Sequence, residues 1–447
     1  MHPRNGARTA GAALRPAAAA LSVAALALTS ACSSSSSSSA KAPADPAKAV
    51  TITVWTGQDV GPEKLLEGLA KQFHDAHPNV TIDISPGAPT TDQLLPKLTA
   101  AFTSGTYPDI SYNFGSWATQ MQLSGRTLDI TDKVKDPAVK WDEFPPAARQ
   151  TATPNGHVIG FPAVVDNLAL MYNKKLFAAA GVAPPTNTWT WDDFRAAAKK
   201  LTDPAKNVYG TAYSVSGTED TTWHFWPLLW QKGGTVVNSD GTKSEFDSPA
   251  GVAALTFLQQ MAVDDKSVYL SQDDQKYADL FKSGLIGMIM SGPWQLSDNV
   301  AANLDYGVTY LPSFDGTDHQ TISGPDIWTL YDHHDADRAY WSYQFAQWLT
   351  SAQVDPKFNL ATGNLPLRSS ESDSQEFQDY AKQYPGAQTL FDNLKNATTA
   401  RPTVPGYVGL SQAVGQAIAK VLQGQGDPQS ALKDAAKAAD VALAQAD

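Results

Sequence analysis

At 447 residues the chain exceeds the size at which one hydrophobic core keeps growing, so two lobes are expected. Thirty-three Lys and Arg against 45 Asp and Glu give a net charge of −12, which argues against nucleic acid or an anionic membrane face as partner, since both call for clustered cations. A single cysteine excludes an internal disulfide.

The first residues read as an address. Arg4, Arg8 and Arg15 give a positive start, and the apolar run from Ala17 to Leu28 is too short to span a bilayer, as expected for an export signal. Those arginines are the only charged residues before residue 32, so the remainder carries −15. Leu28-Thr29-Ser30-Ala31-Cys32, followed by serine from Ser33 to Ser39, resembles a bacterial lipobox. In that motif signal cleavage exposes the cysteine and its sulfur carries a diacylglyceryl group. Thr29 stands where the motif usually has leucine, which leaves an ordinary signal-peptidase site as the alternative. Acyl chains contribute about 0.8 kcal/mol per buried methylene, so a multiply acylated Cys32 is a durable tether to the outer face of the cell membrane. Residues 32–49, rich in Ser, Ala and Pro, suit a flexible leash, and the globular part begins near Val50.

Strands and helices then alternate. Thr51–Trp55 reads as a strand broken by Thr56-Gly57-Gln58; Leu65, Leu66, Leu69 and Phe73 form one helix face that stops before Pro78. Val80, Ile82 and Ile84 mark a second strand, Leu94, Leu95, Leu98 and Phe102 a second helix, and Asp109–Tyr112 a third strand. This order predicts a parallel sheet with ligand beyond its carboxyl ends, at Thr56–Gln58 and Asn113–Trp117. Gly160-Phe161-Pro162 and Leu168–Asn173 read as two extended stretches joined by Asp166-Asn167. Trp191, Phe194, Ala197 and Leu201 mark a helix, and Ser248-Pro249 caps another. Leu285–Met290 is a short strand ending in Ser291-Gly292-Pro293-Trp294, Tyr306–Leu311 is extended, and the tail from Ser411 is helical around Val414, Ile418 and Leu422.

Catalytic and cofactor motifs are missing. Gly241-Thr242-Lys243-Ser244 lacks the upstream glycine of a phosphate loop, and neither a dinucleotide fingerprint nor a Gly-x-Ser-x-Gly elbow occurs. His333-His334 among acids reads as a solvated loop rather than a metal site. No cofactor or metal is called for. The 12 tryptophans carry more information. Trp191, Trp230, Trp341 and Trp348 occupy helical stripes and read as core, whereas Trp117, Trp223, Trp226, Trp294 and Trp328 fall near element ends. A sugar presents apolar C–H faces and a rim of hydroxyls, which calls for flat rings plus Asp, Asn, Gln or Arg in the ring plane.

Five stretches in order carry a resemblance: Ile52–Trp55; Tyr107–Ile110; Gly160–Pro162 with Leu170–Lys174; Gly287–Trp294; and Gly363–Pro366. The chain beyond the signal resembles the family 1 extracellular solute-binding proteins of bacterial ABC importers, which include the maltose-type sugar receptors. The resemblance implies a two-lobed α/β fold of the periplasmic-binding-protein type (type II), with parallel or mixed sheets flanked by helices and a hinge-linked central cleft. It places one lobe at residues 50–162 and 313–365, the other at 167–307 and 366–447, and hinge segments at 163–166 and 308–312. Ligand contacts are expected from Gln58, Asn113 and Trp117 of the first lobe, Asp166 and Asn167 of the hinge, and Trp223, Trp226 and Trp294 of the second lobe. Gly324, Asp326 and Arg368 are expected to line the cleft, with an Asp326–Arg368 ion pair as the alternative reading. A monomeric sugar receptor serving an importer is implied; a same-fold receptor for a polyamine or other polar solute and a secreted glycoside-processing enzyme are the alternatives.

Overall fold

The computed structural model describes residues 44–58, 60–273 and 276–445, so Cys32 and the leader lie outside the described residues. In chain order the strands are β1 (Val50–Trp55), β2 (Val80–Ser85), β3 (Ile110–Asn113), β4 (Gly160–Val164), β5 (Ala169–Asn173), β6 (Tyr209–Ser214), β7 (Val268–Ser271), β8 (Ile286–Ser291), β9 (Tyr306–Thr309), β10 (Ile322–Ser323), β11 (Asp326–Leu330) and β12 (Thr399–Ala400). They build two five-stranded sheets, β2-β1-β3-β11-β4 and β7-β6-β8-β5-β9, and a short ribbon, β10-β12.

The first sheet begins as the sequence spacing predicts: β1 lies parallel to β2 and β3, with Ile52 opposite Ile82 and Val54 opposite Ile110. It does not stay parallel. β11 inserts antiparallel between β3 and β4, because it arrives from the other half of the chain rather than through a local crossover helix. Ile52 and Val54 are buried. Leu66, Leu69 and Phe73 of the helix Val60–Ala76 bury as expected, and Phe73 meets Phe345 of the helix Ala336–Leu349 at 5.2 Å between ring centroids. Leu65 is 36% exposed; one residue before Leu66, it turns to the outer edge of the stripe.

In the second sheet β5 pairs antiparallel with both β8 and β9, and β6 pairs parallel with β7 and β8. β4 and β5, close in sequence, therefore belong to different sheets, and residues 165–168 carry the chain across. It returns between β9 and β11, and crosses again beyond the helix Asp355–Phe358, which packs on the helix Val60–Ala76, before the helix Ala387–Asn393, which packs on β9. Two halves joined by several crossings, each with its own sheet, make the two-lobed α/β arrangement.

Local chemistry explains the element ends. Ser248 accepts the Gly251 N–H at the start of the helix Pro249–Gln259. The helices Tyr407–Leu422 and Pro428–Gln445 are separated at Gly424, whose φ of 75° suits glycine. Thr190 and Asp193 form a reciprocal capping box on the helix Trp191–Leu201, which buries Trp191, Phe194, Ala197 and Leu201. Thr190→Ala should cost about 1 kcal/mol of stability, read as a lowered urea midpoint at unchanged slope. An unchanged midpoint would mean that the cap is redundant with the Thr190–Ser313 bridge.

Candidate ligand-binding site between the sheets

The turns after β1 and β3 are shaped by close approach. Gly115 is required because a Cβ there would lie 2.1 Å from the Pro325 carbonyl oxygen. Its N–H instead donates to Asp326 Oδ1 at 3.2 Å, and the Tyr112 hydroxyl donates to Asp326 Oδ2 at 2.5 Å. Asp166, on the segment between the sheets, accepts the Gly324 N–H at 2.8 Å. Three expected residues, Asp166, Gly324 and Asp326, are thus brought together, with Gly115 of the expected turn Asn113–Trp117 and with Tyr112, a partner that sequence reasoning missed.

The second sheet's half supplies the opposite wall. Parallel pairing of Ser323 with Ala400 delivers Arg401 beside Gly324. Its Nη1 lies 3.2 Å from Glu219 Oε1 and its Nη2 lies 3.5 Å from Asp326 Oδ1. The guanidinium stands 4.7 Å from the Trp223 ring centroid and 5.7 Å from that of Phe114. Glu219 also accepts the Tyr407 hydroxyl at 2.9 Å and the Ser411 hydroxyl. Trp223 lies edge-on to Gly324. None of Arg401, Glu219 and Tyr407 was expected from the sequence.

Three carboxylates therefore surround one guanidinium. Burial pushes the Asp166 carboxyl up to about 7, the Asp326 charge adds to this, and the Gly324 N–H and Arg401 only partly offset it. Burial followed by the Asp326 charge raises the Tyr112 phenol, so that it stays a donor. For Arg401 burial works against the charge, but Glu219 and then Asp326 outweigh it and the pKa rises. A crevice of about 660 Å³ separates Gln150 and Thr151 from residues 233–241 and has Arg401 on its wall.

The remaining expected residues lie elsewhere or face away. Trp294 is 40% exposed, its ring folded over Gly292 beside Gly363. Gln58 is half-buried with its N–H on Thr56 Oγ1. Asn113 donates to Thr329 Oγ1 and the Tyr331 hydroxyl and accepts from Ser111, so its amide is engaged inside the sheet. Asn167 is likewise held by Leu390 and Asn393. Trp117 is buried against Phe114 and Met121. Trp226 is fully buried and donates to the Tyr407 hydroxyl at 3.0 Å, so it orients Tyr407 from behind. Arg368 does not pair with Asp326: it donates to the carbonyls of Thr350, Val139 and Lys140, beside Glu143, because the chain leaves the cleft before reaching it. His333 stacks on Tyr107, and among the described residues no cluster of His, Cys, Asp and Glu is disposed to hold a metal.

The model of the bacterial extracellular solute-binding protein family matches residues 59–356. Among curated relatives, the sn-glycerol-3-phosphate-binding periplasmic protein UgpB of Yersinia enterocolitica is 25% identical over 420 residues, covering 89% of this chain and 93% of that protein. Among solved structures, the cyclic α-maltosyl-1,6-maltose binding protein from Arthrobacter globiformis superposes with a TM-score of 0.77 at 25% identity, covering 89% of this chain and 99% of that one. An ABC transporter solute-binding protein from Agrobacterium radiobacter K84 in complex with ribitol gives 0.75 at 26% identity, covering 89% and 100%.

Proposed function

Since the chain belongs to the bacterial extracellular solute-binding proteins, we propose that it captures an uncharged sugar or oligosaccharide between its lobes and delivers it to an ABC importer. The observation that carries this reading is the meeting of Asp166, Asp326 and Arg401 with the Trp223 ring where the two sheets approach. Carboxylates and a guanidinium accept and donate to hydroxyls, and an indole covers a C–H face. Three carboxylates against one arginine leave the site acidic, which disfavours a phosphate ligand of the kind named for the Yersinia relative. The resemblance to receptors of a cyclic maltosyl sugar and of ribitol supports an uncharged polyhydroxyl ligand.

Residues 163–166 and 308–312 are the hinge segments of this reading, with lobe one at 50–162 and 313–365 and lobe two at 167–307 and 366–447. Gln58 and Trp294 are further ligand contacts of this reading. Cys32 carries the acyl anchor, supported by the lipobox-like sequence before it.

Calorimetric titration against neutral saccharides, sn-glycerol-3-phosphate and spermidine tests the assignment. A saccharide should bind with little salt dependence, whereas exclusive binding of the phosphate would overturn the proposal. Spermidine is the second reading, favoured by the same excess of carboxylate, and its affinity would fall with salt. Trp294→Ala should weaken the best saccharide about tenfold while leaving the unliganded melting temperature unchanged, because the ring is 40% exposed. Undiminished affinity would remove Trp294 from the site.

A further inference from the structure

Two buried carboxyl groups sit at the crossings between the lobes, away from the ligand site. Asp355 opens the helix Asp355–Phe358 and is 1% exposed; Glu371 lies on the stretch leading to the third crossing and is 2% exposed. Asp355 holds the chain in two places. Its Oδ2 accepts the Leu367 N–H at 3.1 Å, and its Oδ1 accepts from Asn359 Nδ2, which also donates to the Ala163 carbonyl at 3.0 Å. The Leu365 N–H reaches the Val165 carbonyl beside it. One carboxylate therefore ties the segment leaving β4 to the segment leaving the helix Asp355–Phe358.

Glu371 faces that carboxylate, and no donor reaches either of its buried oxygens. Two ionised carboxylates cannot hydrogen-bond to each other; with one proton between them, one becomes the donor. The nearest cation, Arg368, is committed to three backbone carbonyls and to Glu143, which is itself paired with Lys140. Glu143 adds a further negative charge, so the charged groups around the pair do not neutralise both carboxylates. Burial, then Asp355, raises Glu371 well above the usual carboxyl range; burial raises Asp355 as well.

We propose that Asp355 and Glu371 share one proton in the native state and act as a clasp on the two crossings, loosening as the medium turns alkaline. The folded chain then keeps a proton that the unfolded chain releases above the ordinary glutamate range, so this contribution is complete in acid and is lost as pH rises.

Urea unfolding of the full chain and of Glu371→Gln, from about pH 5 to about pH 9, tests the clasp. Glutamine keeps the shape and donates to Asp355 without a proton to lose. The unfolding constant of the wild type should climb relative to the variant by up to about tenfold per pH unit. Parallel pH profiles would overturn the proposal. If the variant does not fold, infrared spectra of the native wild type at about pH 8.5 decide: a protonated carboxyl band should persist, although Asp166, at about 7, is ionised there. Absence of that band would equally overturn it.

Discussion

Arg401→Ala should destabilise the protein by about 3–5 kcal/mol, measured by urea unfolding near neutral pH. Arg401 is only 9% exposed, and its guanidinium lies 3.2 Å from Glu219 and 3.5 Å from Asp326. Asp326 is 6% exposed, and it also accepts from the Tyr112 phenol and the Gly115 N–H. Removing the arginine takes away a cation that acts on Glu219, Asp326 and Asp166 together. The penalty is therefore that of breaking a buried ion pair rather than of losing a surface one. Its pH dependence has a definite sign. Arg401 partly offsets the burial that raises the Asp166 carboxyl, so without it Asp166 holds its proton more tightly still, and the deficit shrinks in acid and grows as pH rises through neutrality. Arg401→Lys restores the charge without the planar fork and should recover part of the loss. A cost below about 1 kcal/mol for the alanine would mean that the acids are hydrated and the two halves are not closed on each other.

How much of this was legible beforehand depends on the range of the signal. The early strands, the helix stripes and the Ser248 cap come from periodicity and short-range hydrogen bonding, and the structure has them where the sequence points. The rule that ligands gather beyond strand ends points to the end of β3 and to Asn113, yet it is the neighbouring side chain that reaches Asp326. Adjacent residues in a strand point to opposite faces, so Tyr112 reaches Asp326 while Asn113 turns into the sheet. Pattern alone does not say which face meets the other half. Arg401 was invisible for a different reason: its place follows from pairing Ser323 with Ala400, and no local spacing encodes a parallel contact between such distant segments. Arg368, chosen by resemblance, is buried among backbone carbonyls and does not meet Asp326.

Gly324→Ala should lower the affinity for the best saccharide ten- to a hundredfold, corresponding to about 1–3 kcal/mol of overpacking. A Cβ at this position would lie 2.4 Å from Trp223 Cη2, 3.0 Å from Cζ3 and 3.3 Å from Arg401 Nη2. Gly324 directly precedes the segment entering β11 of the first sheet, whereas Trp223 ends a short helix, Glu219–Trp223, beside the second. Ile322, two residues earlier, shares the second half's core with Trp223, so Gly324 stands on the crossing between the halves, and its contact with Trp223 is expected to tighten on closure. The added methyl thus penalises the closed arrangement and leaves each sheet's interior untouched, so the cost enters as a smaller closed population rather than as loss of fold. Trp223 is 7% exposed and cannot swing freely aside. Replacing it by phenylalanine in the Gly324→Ala background removes the clashing ring atoms and should return part of the affinity, beyond what the two single changes predict by addition. Small-angle scattering supplies the independent readout: with saccharide present, Gly324→Ala should remain more extended than the wild type. Equal compactness together with equal affinity would separate the Gly324–Trp223 contact from closure.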